Sequence, residues 1–153
     1  MQIESLTFNL QGIAGKRLIK SPKLYFLDTA IAAFLTGLHS EEAILHGPSS
    51  GALMETAFVA EWVKAFHNRG EQPSIYFWRS SDGLEVDLLV DRNGKLHAFE
   101  VKTTATVTPG HAAGLSRWRA LAGRTAAPAA VVADVERSFS LAPGIRAVPW
   151  WIL

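Results

Sequence analysis

Three residues in the second half of the chain, Asp87, Glu100 and Lys102, have the types and spacing needed for metal-dependent chemistry. The dipeptide Asn93-Gly94 predicts a two-residue hairpin turn, which places Asp87 directly opposite Glu100 on the neighbouring strand. Facing carboxylates repel each other unless a cation lies between them, and Mg²⁺ or Mn²⁺ prefers oxygen ligands. The sequence therefore predicts a Mg²⁺ (or Mn²⁺) site at Asp87 and Glu100. Lys102 is placed to orient a nucleophilic water or to stabilise developing negative charge.

The same register also allows a purely structural interpretation. It places Glu85 opposite Lys102, so that these two residues and the facing acids form a surface ladder with ion pairs, which are common and contribute little to stability. The other face of the hairpin is predicted to be apolar, with Val86, Leu88 and Val90 against Phe99 and Val101. Since clustered acids resist ionising together, the metal-site hypothesis predicts a raised pKa for at least one of its acids.

A helix predicted over residues 52–67 supplies a third acid. Its apolar side chains form one arc, made of Met54, Phe58, Val59, Trp62, Val63 and Phe66. Glu55 projects near the middle of that arc, where a carboxylate requires a partner, and is predicted to complete or orient the metal site. The alternative is that Glu55 lies in the first helical turn, where the helix dipole favours an acid and the side chain stays in water.

The remaining patterns predict an α/β domain with a central mixed sheet of four or five strands flanked by helices. Residues 1–27 indicate a hairpin-like appendage, and residues 28–153 the main domain. Beyond the hairpin strands at 84–91 and 95–102, the predicted elements are helices at 29–35, 40–47 and 112–121, strands at 74–79 and 129–134, and extended pieces near Phe139 and 148–153.

Composition limits the classes of function. The chain has 153 residues, 15 Lys and Arg against 14 Asp and Glu, and no cysteine, which excludes disulfides, thiolate zinc sites and cysteine nucleophiles. The absence of a signal peptide or an uninterrupted apolar stretch predicts a cytoplasmic protein without a membrane segment. A net charge of +1 gives no bulk attraction for nucleic acid, so local basic residues would have to contact phosphates. The candidates are Lys16, Arg17, Arg79, Arg117 and Arg119.

An acid on a helix, an acid on a strand and Glu-x-Lys on the next strand resemble the PD-(D/E)XK arrangement of restriction-endonuclease-like folds and Holliday junction resolvases. In this chain the pattern is Glu55, Asp87 and Glu100-Val101-Lys102. The resemblance implies a restriction-endonuclease-like core. It also implies catalysis by these four residues, with the three acids as metal ligands and DNA as the substrate.

Longer segments are similar to a C-terminal domain of unknown function in prokaryotic AAA-type ATPases. They are Ser21 to Thr29, Gly51 to Val59, Phe77 to Arg79, Gly83 to Asp87 and Phe99 to Lys102, and the resemblance extends from about Lys16 onward. Such proteins carry an N-terminal ATPase module, and this chain begins where their winged-helix-like connector would be ending. The resemblance therefore implies a truncated gene product, an excised fragment or a free-standing relative, with residues 1–27 corresponding to the end of the connector.

These observations favour metal-dependent hydrolysis of nucleic-acid phosphodiesters. Two alternatives remain open. The first is a catalytically inactive nuclease-like module that binds nucleic acid or regulates an ATPase partner, and the second is a toxin-like or defence component that acts on protein partners. The intact set of three acids and a lysine favours hydrolysis, whereas the near-zero net charge favours the alternatives. The protein partners expected are an ATPase module or further copies of the chain.

Overall fold

The computed structural model describes the backbone of residues 3–6 and, in full, residues 23–152. The strands are β1 Ile3–Leu6, β2 Lys23–Phe26, β3 Ile75–Arg79, β4 Glu85–Arg92, β5 Lys95–Val101, β6 Ala129–Ala133, β7 Phe139–Ala142 and β8 Ile145–Pro149. The α-helices are α1 Thr29–Leu35, α2 Glu41–His46, α3 Ser50–Asn68 and α4 Ala113–Ala122, and single 3-10 turns lie at Pro109–Ala112 and Gly123–Thr125. The predicted mixed α/β class is confirmed.

Six of the strands described form one mixed sheet in the order β3-β4-β5-β6-β8-β7, so the predicted count of four or five strands is wrong. The strands β3, β4 and β5 pair antiparallel, whereas β6 runs parallel to both β5 and β8. The additional strands arise from the extended pieces near Phe139 and Val148, which pair with each other and extend the sheet beyond β6. Local pattern alone gives no sign of this pairing, because the strands are only four and five residues long.

A helix covers each face of the sheet. On one face α3 packs Phe58, Val59 and Val63 against β4 and β6, and on the other α4 packs Leu115 and Trp118. The sequence of β6, Ala-Ala-Val-Val-Ala, is buried along its whole length, as expected for a parallel strand covered on both faces. Among the described residues, no helix combines the length and the apolar character needed to cross a bilayer.

The hairpin between β4 and β5 has the predicted turn. Asn93 and Gly94 have φ values of 55° and 74°, as a type I′ turn requires. The predicted register is confirmed from the Arg92–Lys95 pair to the Leu88–Phe99 pair, where the ladder ends.

A β-bulge interrupts β4 at Asp87 and Leu88. Tyr76 pairs with Leu89 and Trp78 with Val86, so a step of two residues on β3 matches a step of three on β4. As a result Val86 joins Leu89 in the core on the α4 side, while Leu88 packs on the α3 side. The prediction that Val86 shares a face with Leu88 and Val90 is therefore wrong, because the extra residue reverses the alternation of side chains.

The N-terminal strands form a separate two-stranded sheet, in which β1 and β2 pair antiparallel from Ile3–Phe26 to Leu6–Lys23. β2 is anchored to the main domain, since Tyr25 is 3% exposed and belongs to the core on the α3 side. The predicted boundary between residues 27 and 28 thus lies just after a strand that packs on α3.

Candidate functional site

Asp87 lies at the β4 bulge, immediately beyond the last paired residues of the hairpin. Its Oδ2 accepts a hydrogen bond of 2.8 Å from the backbone N–H of Val101, which takes the place of a ladder bond between the strands. The expected facing pair of Asp87 and Glu100 is consequently not part of the ladder. The two carboxylates nevertheless lie close enough for Glu100 to raise the pKa of Asp87.

Glu100 and Lys102 form an ion pair at the end of β5. Lys102 Nζ donates to Glu100 Oε1 at 2.8 Å, and the two side chains are 18% (Glu100) and 38% (Lys102) exposed. The prediction that Lys102 pairs with Glu85 is wrong: Glu85 lies 2.5 Å from Lys23 and 3.7 Å from Arg79. Beyond the Leu88–Phe99 pair, β5 is paired with β6 and no longer with β4, and the N–H of Lys102 donates to the carbonyl of Val132.

Glu55 lies in the second turn of α3, because the helix begins at Ser50 and not at residue 52. Its Oε1 accepts hydrogen bonds from Lys23 Nζ at 3.0 Å and from the Tyr25 hydroxyl at 2.5 Å. With its side chain only 21% exposed, it is not the solvated first-turn acid of the alternative interpretation.

Sequence reasoning missed Lys23 and Tyr25, the two residues that hold Glu55. They lie two positions apart on β2, so their side chains leave the strand on the same side. The available signal was their position inside the segment Ser21 to Thr29, which carries part of the family resemblance. Nothing in that segment indicates which distant carboxylate they contact.

The three acids share one hydrogen-bonding arrangement. In each carboxylate, one oxygen accepts a hydrogen bond. The donor to Asp87 is the N–H of Val101, the donor to Glu100 is Lys102, and the donors to Glu55 are Lys23 and Tyr25. The second oxygen of each carboxylate receives no hydrogen bond from any of the described residues. As far as the described residues go, each acid is thus fixed through one oxygen, and its other oxygen can act as a ligand or acceptor.

The electrostatics of the site confirm the expectation of a raised acid pKa. Burial, reinforced by the negative charge of Glu100, raises the pKa of Asp87 to about 7; Glu55 adds to this effect, while the Val101 hydrogen bond and Lys23 oppose it. Burial tends to lower the pKa of Lys102, but its hydrogen bond to Glu100 and attraction to the acids outweigh burial and raise it. Burial and the adjacent Glu55 also raise the pKa of Tyr25, so its hydroxyl stays a hydrogen-bond donor.

The oxygen donors available here suit a divalent cation bound by two carboxylates. Residues 23–152 contain no group of three Asp, Glu or His side chains that could hold a metal ion together as they stand. Mg²⁺, however, usually keeps several waters and binds through one or two carboxylates. Asp87 and Glu100 supply two carboxylates whose mutual repulsion a cation would relieve, so they fit such an ion. One oxygen of Glu55 already accepts hydrogen bonds from Lys23 and Tyr25.

Two of the candidate phosphate contacts, Arg117 and Arg79, lie near Glu85. Arg117 lines a cleft of about 410 Å³ together with Glu100, Lys102 and Glu85, and lies 3.6 Å from Asp82. Arg79 lies 3.7 Å from Glu85 and is 49% exposed.

Arg119, another of the predicted basic contacts, does not line this cleft. Arg119 follows Arg117 by two positions, about 200° around α4, and donates to the carbonyl of Pro143 at 2.5 Å, which places it apart from the acids. Lys16 and Arg17 lie outside the described residues.

Comparisons with known proteins identify relatives without a described activity. The chain is 34% identical over 135 residues to an uncharacterized protein of Mycobacterium bovis and, equally, to one of Mycobacterium tuberculosis. Each match covers 88% of this chain but only 29% of the relative, so the chain spans less than a third of those proteins. No solved structure matches it. The model of a domain of unknown function, DUF4143, matches residues 50–153, and the chain therefore belongs to that family.

Proposed function

We propose that this chain is a nuclease-like domain with a restriction-endonuclease-like core that hydrolyses nucleic-acid phosphodiesters with the help of Mg²⁺ or Mn²⁺. The observation that carries the proposal is the arrangement of Glu55, Asp87 and Glu100. Each is held through one oxygen, the second oxygen receives no hydrogen bond from the described residues, and Lys102 is paired with Glu100. The order of these residues along the chain, which resembles the PD-(D/E)XK pattern, supports the same chemistry.

Each residue has a distinct role in this proposal. Asp87 and Glu100 bind the cation, which supplies Lewis-acid activation of water and neutralises charge on the phosphate. Lys102 stays protonated because its pKa is raised, so it acts as a hydrogen-bond donor that orients the attacking water or stabilises the charge of the transition state. Glu55 orients groups at the same site through its second oxygen.

The cleft beside Glu100 and Lys102 is the proposed position of the substrate backbone. Arg117 on its wall and the half-exposed Arg79 near Glu85 are suited to sequence-independent contacts with phosphates. Because the chain has a net charge of +1, these few local contacts, and not bulk attraction, would determine affinity.

One feature favours the second candidate, a catalytically inactive module that regulates an ATPase partner. The helix α1, Thr-Ala-Ile-Ala-Ala-Phe-Leu, carries no charge and leaves Phe34 70% and Leu35 61% exposed. Exposed apolar side chains grouped on a short helix are typical of protein interfaces. The same catalytic experiment separates the two candidates.

The decisive experiment is a cleavage assay on single-stranded, duplex and four-way-junction DNA with Mg²⁺ or Mn²⁺, combined with metal titration. Lys102→Ala is expected to abolish cleavage while keeping the Mn²⁺ affinity within about threefold, since it removes no ligand oxygen. Asp87→Asn is expected to lose both cleavage and Mn²⁺ binding. Lys64→Ala is the matched control, because Lys64 pairs with Glu61 on the exposed side of α3. If the wild-type chain cuts none of these substrates, the inactive module is the better conclusion.

A further inference from the structure

The strand β2 contributes two polar groups to the acidic site. Lys23 Nζ lies 3.0 Å from Glu55 Oε1 and 2.5 Å from Glu85 Oε1, so one ammonium bridges acids from α3 and β4. The Tyr25 hydroxyl donates to the same Glu55 oxygen at 2.5 Å. Both contacts join residues 30 or more positions apart in the sequence, and therefore result from the packing of β2 on α3.

Tyr25 is the more rigid of these two partners. Its ring is 3% exposed and packs among Phe58, Val59 and other core residues on the α3 side, whereas the Lys23 side chain is 29% exposed. A buried ring has little rotational freedom, so its hydroxyl defines the position of the carboxylate that accepts from it. Since both donors bind Oε1, the second oxygen of Glu55 is left without a hydrogen bond from the described residues.

We propose that Tyr25 is a positioning residue of the acidic site, which, together with Lys23, fixes Glu55 so that its second oxygen serves the divalent cation or its hydration shell. This inference rests on the proposed function and extends it. It means that the working site is not contained in residues 50–153, the segment that matches the family model, and requires the strand β2 that precedes it. It also means that a displacement of β2 would weaken the site without changing any of its acids.

The test compares Mn²⁺ affinity among variants of the full chain by calorimetric titration. Tyr25→Phe keeps the buried ring and changes no charge, so it removes only the hydrogen bond to Glu55. We expect it to weaken Mn²⁺ binding by about three- to tenfold, because a hydrogen bond to a charged acceptor is among the stronger ones. Tyr76→Phe, which removes the hydroxyl of the second tyrosine of the chain, is the matched control. Circular dichroism spectra that match the wild type verify that each variant is folded.

A double variant distinguishes positioning from a general effect on the fold. If Tyr25 acts through Glu55, then Tyr25→Phe should have no further effect on Mn²⁺ affinity in a Glu55→Gln background, whereas a structural role would make the losses additive. Unchanged affinity in Tyr25→Phe, or additive losses in the double variant, would overturn the inference while the proposed function stands. Failure of the wild type to bind Mn²⁺ would overturn the proposed function, and this inference with it.

Discussion

Asp87→Asn is expected to stabilise the metal-free protein at alkaline pH although it removes a residue of the proposed site. The pKa of Asp87 is raised from 3.8 to about 7 in the folded protein, first by burial and then by Glu100. Between these two values the unfolded chain binds fewer protons than the folded one, so the free energy of unfolding falls as the pH rises from about 4 to about 7. An asparagine does not titrate and escapes this penalty.

The magnitude follows from the two pKa values. Each unit of difference corresponds to about 1.4 kcal/mol once the acid is fully ionised, and part of the penalty is already present at pH 5. Relative to the wild type, Asp87→Asn should therefore gain about 2 to 3 kcal/mol more stability at pH 8 than at pH 5. The amide oxygen of the new side chain can still accept from Val101 N–H, so the variant keeps the contact at the end of the ladder.

Urea unfolding at pH 5 and pH 8 in the presence of a chelator measures this difference. Asp91→Asn is the matched control on the same strand, because Asp91 also accepts a backbone N–H, that of Gly94, but lies at the hairpin turn. If Asp87→Asn gains no more stability than this control between the two pH values, the argument from burial and charge repulsion at Asp87 is refuted.

Two further predictions concern the proton at Asp87 and a glycine outside the site. Mn²⁺ affinity should fall by about tenfold per pH unit below pH 7, because the cation must displace that proton, and equal calorimetric affinities at pH 6 and pH 8 would exclude Asp87 as a ligand. Gly144→Ala should lower the melting temperature more than Gly37→Ala. Both glycines have positive φ, of 70° at Gly144 and 74° at Gly37. Only at Gly144 would the added methyl overlap the guanidinium of Arg119, which would break the hydrogen bond from Arg119 to Pro143 and lower the free energy of unfolding by about 1 kcal/mol. Equal losses would show that the arginine moves without cost.

Local sequence patterns were sufficient for the hairpin and for the helices. The turn at Asn93-Gly94 fixes the register by its backbone geometry, and Asp28 caps α1 through its side chain, accepting from the N–H groups of Ala30 and Ile31. These features depend on residues within a few positions of one another. The same holds for the position of Glu55 on the core side of α3.

What could not be predicted depends on contacts between distant segments. The β4 bulge exists only in relation to β3, and the hydrogen bond from Val101 to Asp87 follows from it. The role of Tyr25 requires β2 to pack on α3, and no local pattern encodes that contact. For this reason the sequence could name the candidate acids and Lys102, whereas the contacts that Lys23, Tyr25 and the N–H of Val101 make with those acids are seen only in the structure.

The bulge in β4 makes the site sensitive to chain length and not only to residue identity. Deleting Leu88 would restore regular pairing with β3 and leave Asp87 on the α3 side, between Val86 and Leu89. A regular ladder would then pair the N–H of Val101 with the backbone of β4, and Asp87 would lose the hydrogen bond that holds its Oδ2. A homologue that carries such a deletion would retain every acid and the Glu-x-Lys triplet but lose the contact that fixes the position of the aspartate. The spacing around Asp87 therefore offers a way to tell family members that keep an assembled site from those that keep only its residues.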